Sequence, residues 1–288
     1  MNKGHLMGLM AAPAGILAAA YAFVSYNAQR LPANTPEVFC RTKKRHTGKR
    51  SLVCVGDSLT HGKVGINYVD MLQASLGDME VINAGINSEL AWNVLQRIQP
   101  ICQCNPDYIT ILIGTNDVEA SLGIKESRKA IKEMDLPVMP SRDGFRESLT
   151  EICTLLKHRT QARIALLSLP PIGQEMDSIA FEKAADYSTI IREVASQMRF
   201  DYLPVNETMK DYVIKNAGNS PISFNGNRIF AMYKAIAGHF LFRRDWDDIS
   251  RDNGLCLHTD MVHLNSIGAR IIAGLVRDFV TGFCDGII

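Results

Sequence analysis

Residues 53–62 read VCVGDSLTHG. An apolar run stops at a glycine, an aspartate and a serine. A short apolar run without strict alternation reads as a strand buried on both faces. In parallel α/β sheets, sites form at the carboxyl ends of such strands. Ser58 stands just past the end of this one.

The pattern repeats outward from there. SLVCV (51–55), EVINA (80–84), DYITILIG (107–114), RIALLSL (163–169) and DYLPV (201–205) are candidate strands. Between and after them, residues 66–76, 145–159, 181–198 and 266–283 carry apolar side chains at helical spacing. The alternation predicts an α/β fold with a five-stranded parallel sheet covered by helices. No internal repeat or low-complexity tract interrupts it.

Bulk properties exclude little. The chain has 288 residues, 47% hydrophobic and 21% charged, an ordinary globular composition. A net charge of +1 gives no global electrostatic case for a nucleic-acid partner. Seven cysteines form no CxxC pair, and the CQC at 102–104 matches neither zinc nor thioredoxin spacing. A single disulfide is one reading; free buried thiols are the favoured one, Cys54 above all.

The N-terminus differs from the rest. Leu6–Ser25 carries no charge, between Lys3 and Arg30. About 20 apolar residues are enough to span a bilayer. Its length favours an uncleaved single-pass anchor over residues 1–26. The small-residue sites at 18–20 and 20–22 keep a cleaved signal peptide open, which would leave the protein secreted or periplasmic. A buried soluble helix is the third reading. Residues 27–50 read as a linker, with Pro32, Pro36 and the basic run RTKKRHTGKR (41–50). That run suits anionic lipid head groups or simply solvent. The remainder, 51–288, reads as one α/β domain.

A serine between strand and helix has an ordinary role as an N-cap. As a nucleophile it needs a base and an oxyanion site. The chain offers both. In DMVHLN (260–265), Asp260 and His263 are three residues apart and fall on one side of a turn. The aspartate can fix the imidazole tautomer while the other ring nitrogen faces the serine. His258 lies in the same cluster, so a metal site is a second reading, although no further ligand is evident. IGTND (113–117) follows the third strand, placing the Asn116 amide where an oxyanion would develop. NAGINSEL (83–90) follows the second strand and can supply a backbone N–H.

These four blocks together resemble the SGNH hydrolases, the GDSL esterase/lipase family. GDSL (56–59), NAGINS (83–88), GTND (114–117) and DMVHLN (260–265) stand in the family's order. The resemblance implies a flavodoxin-like three-layer sandwich, with Ser58 as nucleophile, His263 as base and Asp260 orienting it. It implies an oxyanion hole from the Ser58 N–H, Asn116 and a second-block N–H. Where the family has glycine, this chain has Ser88. Asp57, Gly85 and Asn87 are secondary candidates. Asp57 is expected to satisfy backbone N–H groups of the turn. His61 lies near Ser58 in sequence but lacks an orienting carboxylate.

The expected chemistry is ester hydrolysis through an acyl-enzyme, with no metal or organic cofactor. An acyltransferase moving the acyl group to a sugar or lipid hydroxyl is one alternative. An inactive membrane-tethered binding protein is the other. Residues 224–249 are rich in Phe, Met, Ile and Tyr; they read as packing helices or as an acyl-chain wall. With the N-terminal segment, they favour a lipid-like ester, such as a lysophospholipid, over a short acyl group on carbohydrate. Residues 119–144 read as a polar excursion or mobile loop beside the third block.

Overall fold

A computed structural model describes residues 3–42, 48–224 and 226–282, with side chains from residue 15 onward. The chain begins with α1 (Lys3–Gln29), α2 (Pro36–Arg41), β1 (Arg50–Gly56), α3 (Ser58–His61), α4 (Tyr68–Ser75) and β2 (Met79–Gly85). It continues through α5 (Ala91–Gln96), α6 (Ile98–Gln103), β3 (Tyr108–Leu112), α7 (Thr115–Ala120), α8 (Ile124–Met134), α9 (Arg142–Arg159) and β4 (Arg163–Leu167). The last part holds α10 (Ile179–Met198), β5 (Asp201–Leu203), α11 (Val205–Asn216), α12 (Arg228–Phe242), α13 (Trp246–Asp252) and α14 (Ser266–Thr281).

All five expected strands form, in one parallel sheet of order β2-β1-β3-β4-β5. Helices flank it in layers: α4, α11 and α14 adjoin one another, as do α5, α6, α9 and α10. β1 lies between β2 and β3, and its Leu52, Val53, Cys54 and Val55 are fully buried. This is why its side chains do not alternate in polarity. The order places β1 and β3 side by side at the centre, so their carboxyl ends open onto one crevice.

Two glycines set how closely the layers meet at that end. A Cβ at Gly56 would lie 2.2 Å from Thr60 Oγ1 and 2.4 Å from the Leu112 carbonyl. One at Gly85 would lie 2.2 Å from the His61 nitrogen. Gly85 is therefore a packing residue: it lets α3 sit directly on the end of β2.

Two expectations are corrected. Residues 119–144 include a regular helix, α8, whose Ala130, Ile131 and Met134 pack with Leu90, Ala120 and Leu136. Charged residues on its other face made it look like a loop. Residues 27–50 are not simply a linker. Thr35 caps α2, and Phe39 is buried in the main core. The Asn83 N–H donates to the Asn34 carbonyl, and Asn34 Nδ2 donates to Val81, so this stretch covers the outer edge of β2. Residues 43–47 of the basic run lie outside the described residues.

Among the described residues, no helix is long and apolar enough to cross a membrane. Part of the expected span, residues 6–14, falls where side chains are not described.

Candidate active site

Ser58 opens α3 immediately after β1, with Asp57 as the N-cap. Asp57 Oδ1 accepts from the Leu59 N–H at 3.0 Å, the turn-closing role expected of it. Burial pushes the Asp57 carboxyl up to about 7; the Leu59 N–H and His263 oppose this, while Glu89 and Glu119 add to it.

DMVHLN forms a tight turn ahead of α14. Asp260 Oδ1 accepts from the Val262 and His263 N–H groups at 3.1 and 2.9 Å, which fixes the turn. Its other oxygen lies 2.7 Å from His263 Nδ1, and His263 Nε2 lies 3.2 Å from Ser58 Oγ. Residues 205 positions apart in the chain are thus joined in one line: carboxylate, imidazole, hydroxyl. Asp260 and His263 are buried. Burial alone would depress the imidazole, but the charge and hydrogen bond of Asp260, with Glu119 and Asp57, raise it above its ordinary value. Burial would raise Asp260, yet His263 and the two turn N–H groups hold it below the usual carboxylate range. Such a line can take a proton from the hydroxyl and return it to a leaving group.

The two other candidate histidines do not join it. His61 is buried, and burial with Lys63 lowers its pKa to about 4. His258 is buried behind the turn, and burial also lowers it to about 4, against the pull of Asp260. Among the described residues, no group of three or more His, Cys, Asp or Glu is placed to hold a metal ion.

Asn116, in the first turn of α7, reaches toward the same crevice. Its Nδ2 donates to the Glu89 carbonyl at 3.0 Å and to Asp57 Oδ2 at 3.3 Å. Both amide hydrogens are engaged here, and the longer contact is the one a developing oxyanion could displace. Ser88 sits at the exposed tip of the second-block loop with φ of 65°, in the left-handed region. Glycine takes that conformation without penalty, whereas serine is strained by it. The backbone therefore keeps the shape of a glycine loop at this position, and the N–H is retained. Asn87 points away from the site; its Nδ2 donates to the Ala28 carbonyl at the end of α1, at 2.8 Å.

Two residues beneath this loop were not legible as functional. Arg97 Nε donates to Glu89 Oε1 and Oε2 at 2.8 and 2.7 Å, and its Nη2 donates to the Ala84 carbonyl at 2.9 Å. The Glu89 side chain is 9% exposed, so the pair is a buried brace rather than a surface contact. Burial raises Glu89, opposed by Arg97. Arg97 ties the end of β2 to the residue following Ser88, and Asn116 holds the same residue by its carbonyl. Asp117, next in chain, accepts from the Ala91 N–H at 3.1 Å, and burial raises it to about 7. The sequence signal was weak: a Glu and an Arg eight apart, which usually means a solvated helix face.

Comparison with known proteins agrees with this architecture. A model of the GDSL-like Lipase/Acylhydrolase family matches residues 54–271. No curated protein matches. Among solved structures, the acetyl xylan esterase AlAXEase is similar at 19% identity and a TM-score of 0.54, over 80% of this chain and 99% of that one. The lipase/acylhydrolase from Enterococcus faecalis gives 17% and 0.53, over 81% and 96%. Axe2, an acetylxylan esterase from Geobacillus stearothermophilus, gives 16% and 0.55, over 81% and 94%. At these identities the likeness is one of fold.

Proposed function

The chain belongs to the GDSL-like lipase/acylhydrolase family and is an ester hydrolase; we propose that it works through Ser58, His263 and Asp260. The observation that carries this reading is the unbroken line from Asp260 Oδ2 through His263 to Ser58 Oγ, at 2.7 and 3.2 Å. His263 takes the Ser58 proton as Oγ attacks the ester carbonyl, and Asp260 stabilises the imidazolium. The oxyanion is held by the Ser58 and Ser88 N–H groups and by Asn116, which releases Asp57. His263 then protonates the leaving alkoxide. Water, deprotonated by His263, resolves the acyl-enzyme and regenerates the Ser58 hydroxyl.

The substrate is an ester with an apolar acyl chain. Support comes from the aromatic and aliphatic side chains of α12, which starts beside the site: Arg228 pairs with Glu119, one turn beyond Asn116. The uncharged segment 6–25 attaches the enzyme to a membrane in this reading. Acetyl esters of carbohydrate, the substrates named for two structural neighbours, would instead call for an open polar cleft.

The test is hydrolysis of p-nitrophenyl esters of rising acyl length by the full chain and its Ser58→Ala variant. Turnover that rises with chain length and vanishes in the variant is expected. Turnover confined to acetate would overturn the substrate class, and turnover surviving in Ser58→Ala would overturn the mechanism.

A further inference from the structure

Two segments far apart in sequence meet beside the site and share an unusual composition. From Met1 to Pro36 there is no Asp or Glu, and none from Tyr212 to Arg244. These segments supply α1 and α12, which pack along one another. Ala28 and Ala235 are buried between them in a small cluster with Val64, Trp246 and Ile249. Small residues at that contact bring the helices close and leave the large side chains outside. On α12, Phe230 is 70% exposed and Phe242 75%, with Ile229 and Tyr233 also exposed. On α1, Leu17 is 71% exposed and Tyr21 74%, with Ile16 and Phe23 beside them in sequence. The only charges these faces carry are positive: Arg30, Lys234 and Arg243 are all exposed.

The pair is also wired to the catalytic loops. The Ala28 carbonyl accepts from Asn87 Nδ2 of the second block. Val64 of the shared cluster precedes Gly65, where a Cβ would lie 3.2 Å from His263 Cβ. At the other end of α12, Arg228 pairs with Glu119.

We infer that the joined faces of α1 and α12 dock the enzyme on an anionic lipid bilayer, with α12 lying in the head-group region beside the mouth of the site. Exposed Phe and Tyr enter the acyl boundary, and Lys234, Arg243 and Arg30 meet lipid phosphates. The total lack of carboxylates on both segments is the charge complementarity such a surface requires. This deepens the proposed function and rests on it, because it supplies that site with bilayer-borne esters.

The test uses the full chain in vesicles of phosphatidylcholine and phosphatidylglycerol with brominated acyl chains. Phe230→Trp and Tyr233→Trp each place a reporter on α12, against the unsubstituted chain with Trp92 and Trp246. Bromolipid is expected to quench the added emission by roughly half, the depth expected of an interfacial helix. Lys234→Glu with Arg243→Glu is expected to weaken that quenching in phosphatidylglycerol-rich vesicles, with the difference from the parent shrinking as phosphatidylglycerol is diluted. Quenching no greater than in the unsubstituted chain overturns the inference. So does a stable dimer by light scattering that shields the reporters, since a second copy would then cover the face. Quenching without ester hydrolysis would sink the proposed function and leave the docking surface standing.

Discussion

At the carboxyl end of the sheet, ionisable groups are buried and matched: Glu89 lies on Arg97 and Asp260 on His263. Next to it, α1 and α12 do the reverse, with large apolar side chains in the open and no acidic residue between them. Burying charge costs several kcal/mol per ion unless geometry repays it, so the first arrangement persists only if each partner is held. Exposing apolar area costs about 25 cal/mol per Å², so the second is expected only where something other than water covers it. One region is organised to hold polar groups still. The other leaves large apolar side chains exposed, and the proposed docking surface rests on that exposure.

The sharpest way to break this comparison is to remove matched groups one at a time. Ser58→Ala or His263→Ala is expected to lower kcat/KM by about 10⁴-fold or more with folding intact by circular dichroism. Asp260→Asn, which keeps the shape but loses the charge, should cost about 10³–10⁴-fold, because the wrong tautomer of His263 is then favoured. Arg97→Met leaves Glu89 buried without its cation. A loss of about 3 kcal/mol in urea unfolding is expected, and Arg97→Lys should recover only part of it. An undiminished midpoint would mean the brace is not one.

The pH dependence separates the same groups. His263 must be neutral to act as base, and its pKa lies above 6.5 in the folded chain. kcat/KM should therefore fall as pH drops through that raised value. Asp57 and Asp117 behave oppositely to paired acids. Their folded pKa of about 7 lies above the ordinary 3.8, so the unfolded chain gives up these protons first. Their contribution to stability is full below about 3.8 and is lost as pH rises toward about 7. Asp117→Asn should raise the midpoint of thermal unfolding at pH 8 and leave it unchanged at pH 4. The smallest effect belongs to Ser88→Gly. Relief of the left-handed serine should stabilise the fold by up to about 1 kcal/mol, with kcat within a few-fold of the parent.

Much of the carboxyl end of the sheet could be read from the residues. β1 and β3 are buried on both faces, so their apolar runs had few alternative readings, and the polar blocks at their ends stood out by contrast. The positions of Ser58, Asn116, Asp260 and His263 follow from those ends and from one tight turn. The Glu89–Arg97 brace was hidden, because a charged pair looks the same in sequence whether buried or solvated. α8 was hidden for a related reason: it packs on α7 and the Leu90 loop by one narrow apolar edge, and its remaining residues are charged. α2 is a six-residue helix that carries its one large contact through Phe39, too short for periodicity to register. The α1–α12 contact could not be foreseen, since Ala28 and Ala235 are unremarkable until the fold brings them together.

The measurement that bears most directly on the central claim is covalent labelling of the full chain by a fluorophosphonate, followed by peptide mass spectrometry. Reaction at one site, on the peptide containing Ser58, is predicted, slowed strongly by Asp260→Asn and absent in His263→Ala. Labelling elsewhere, or undiminished labelling without His263, would contradict the account.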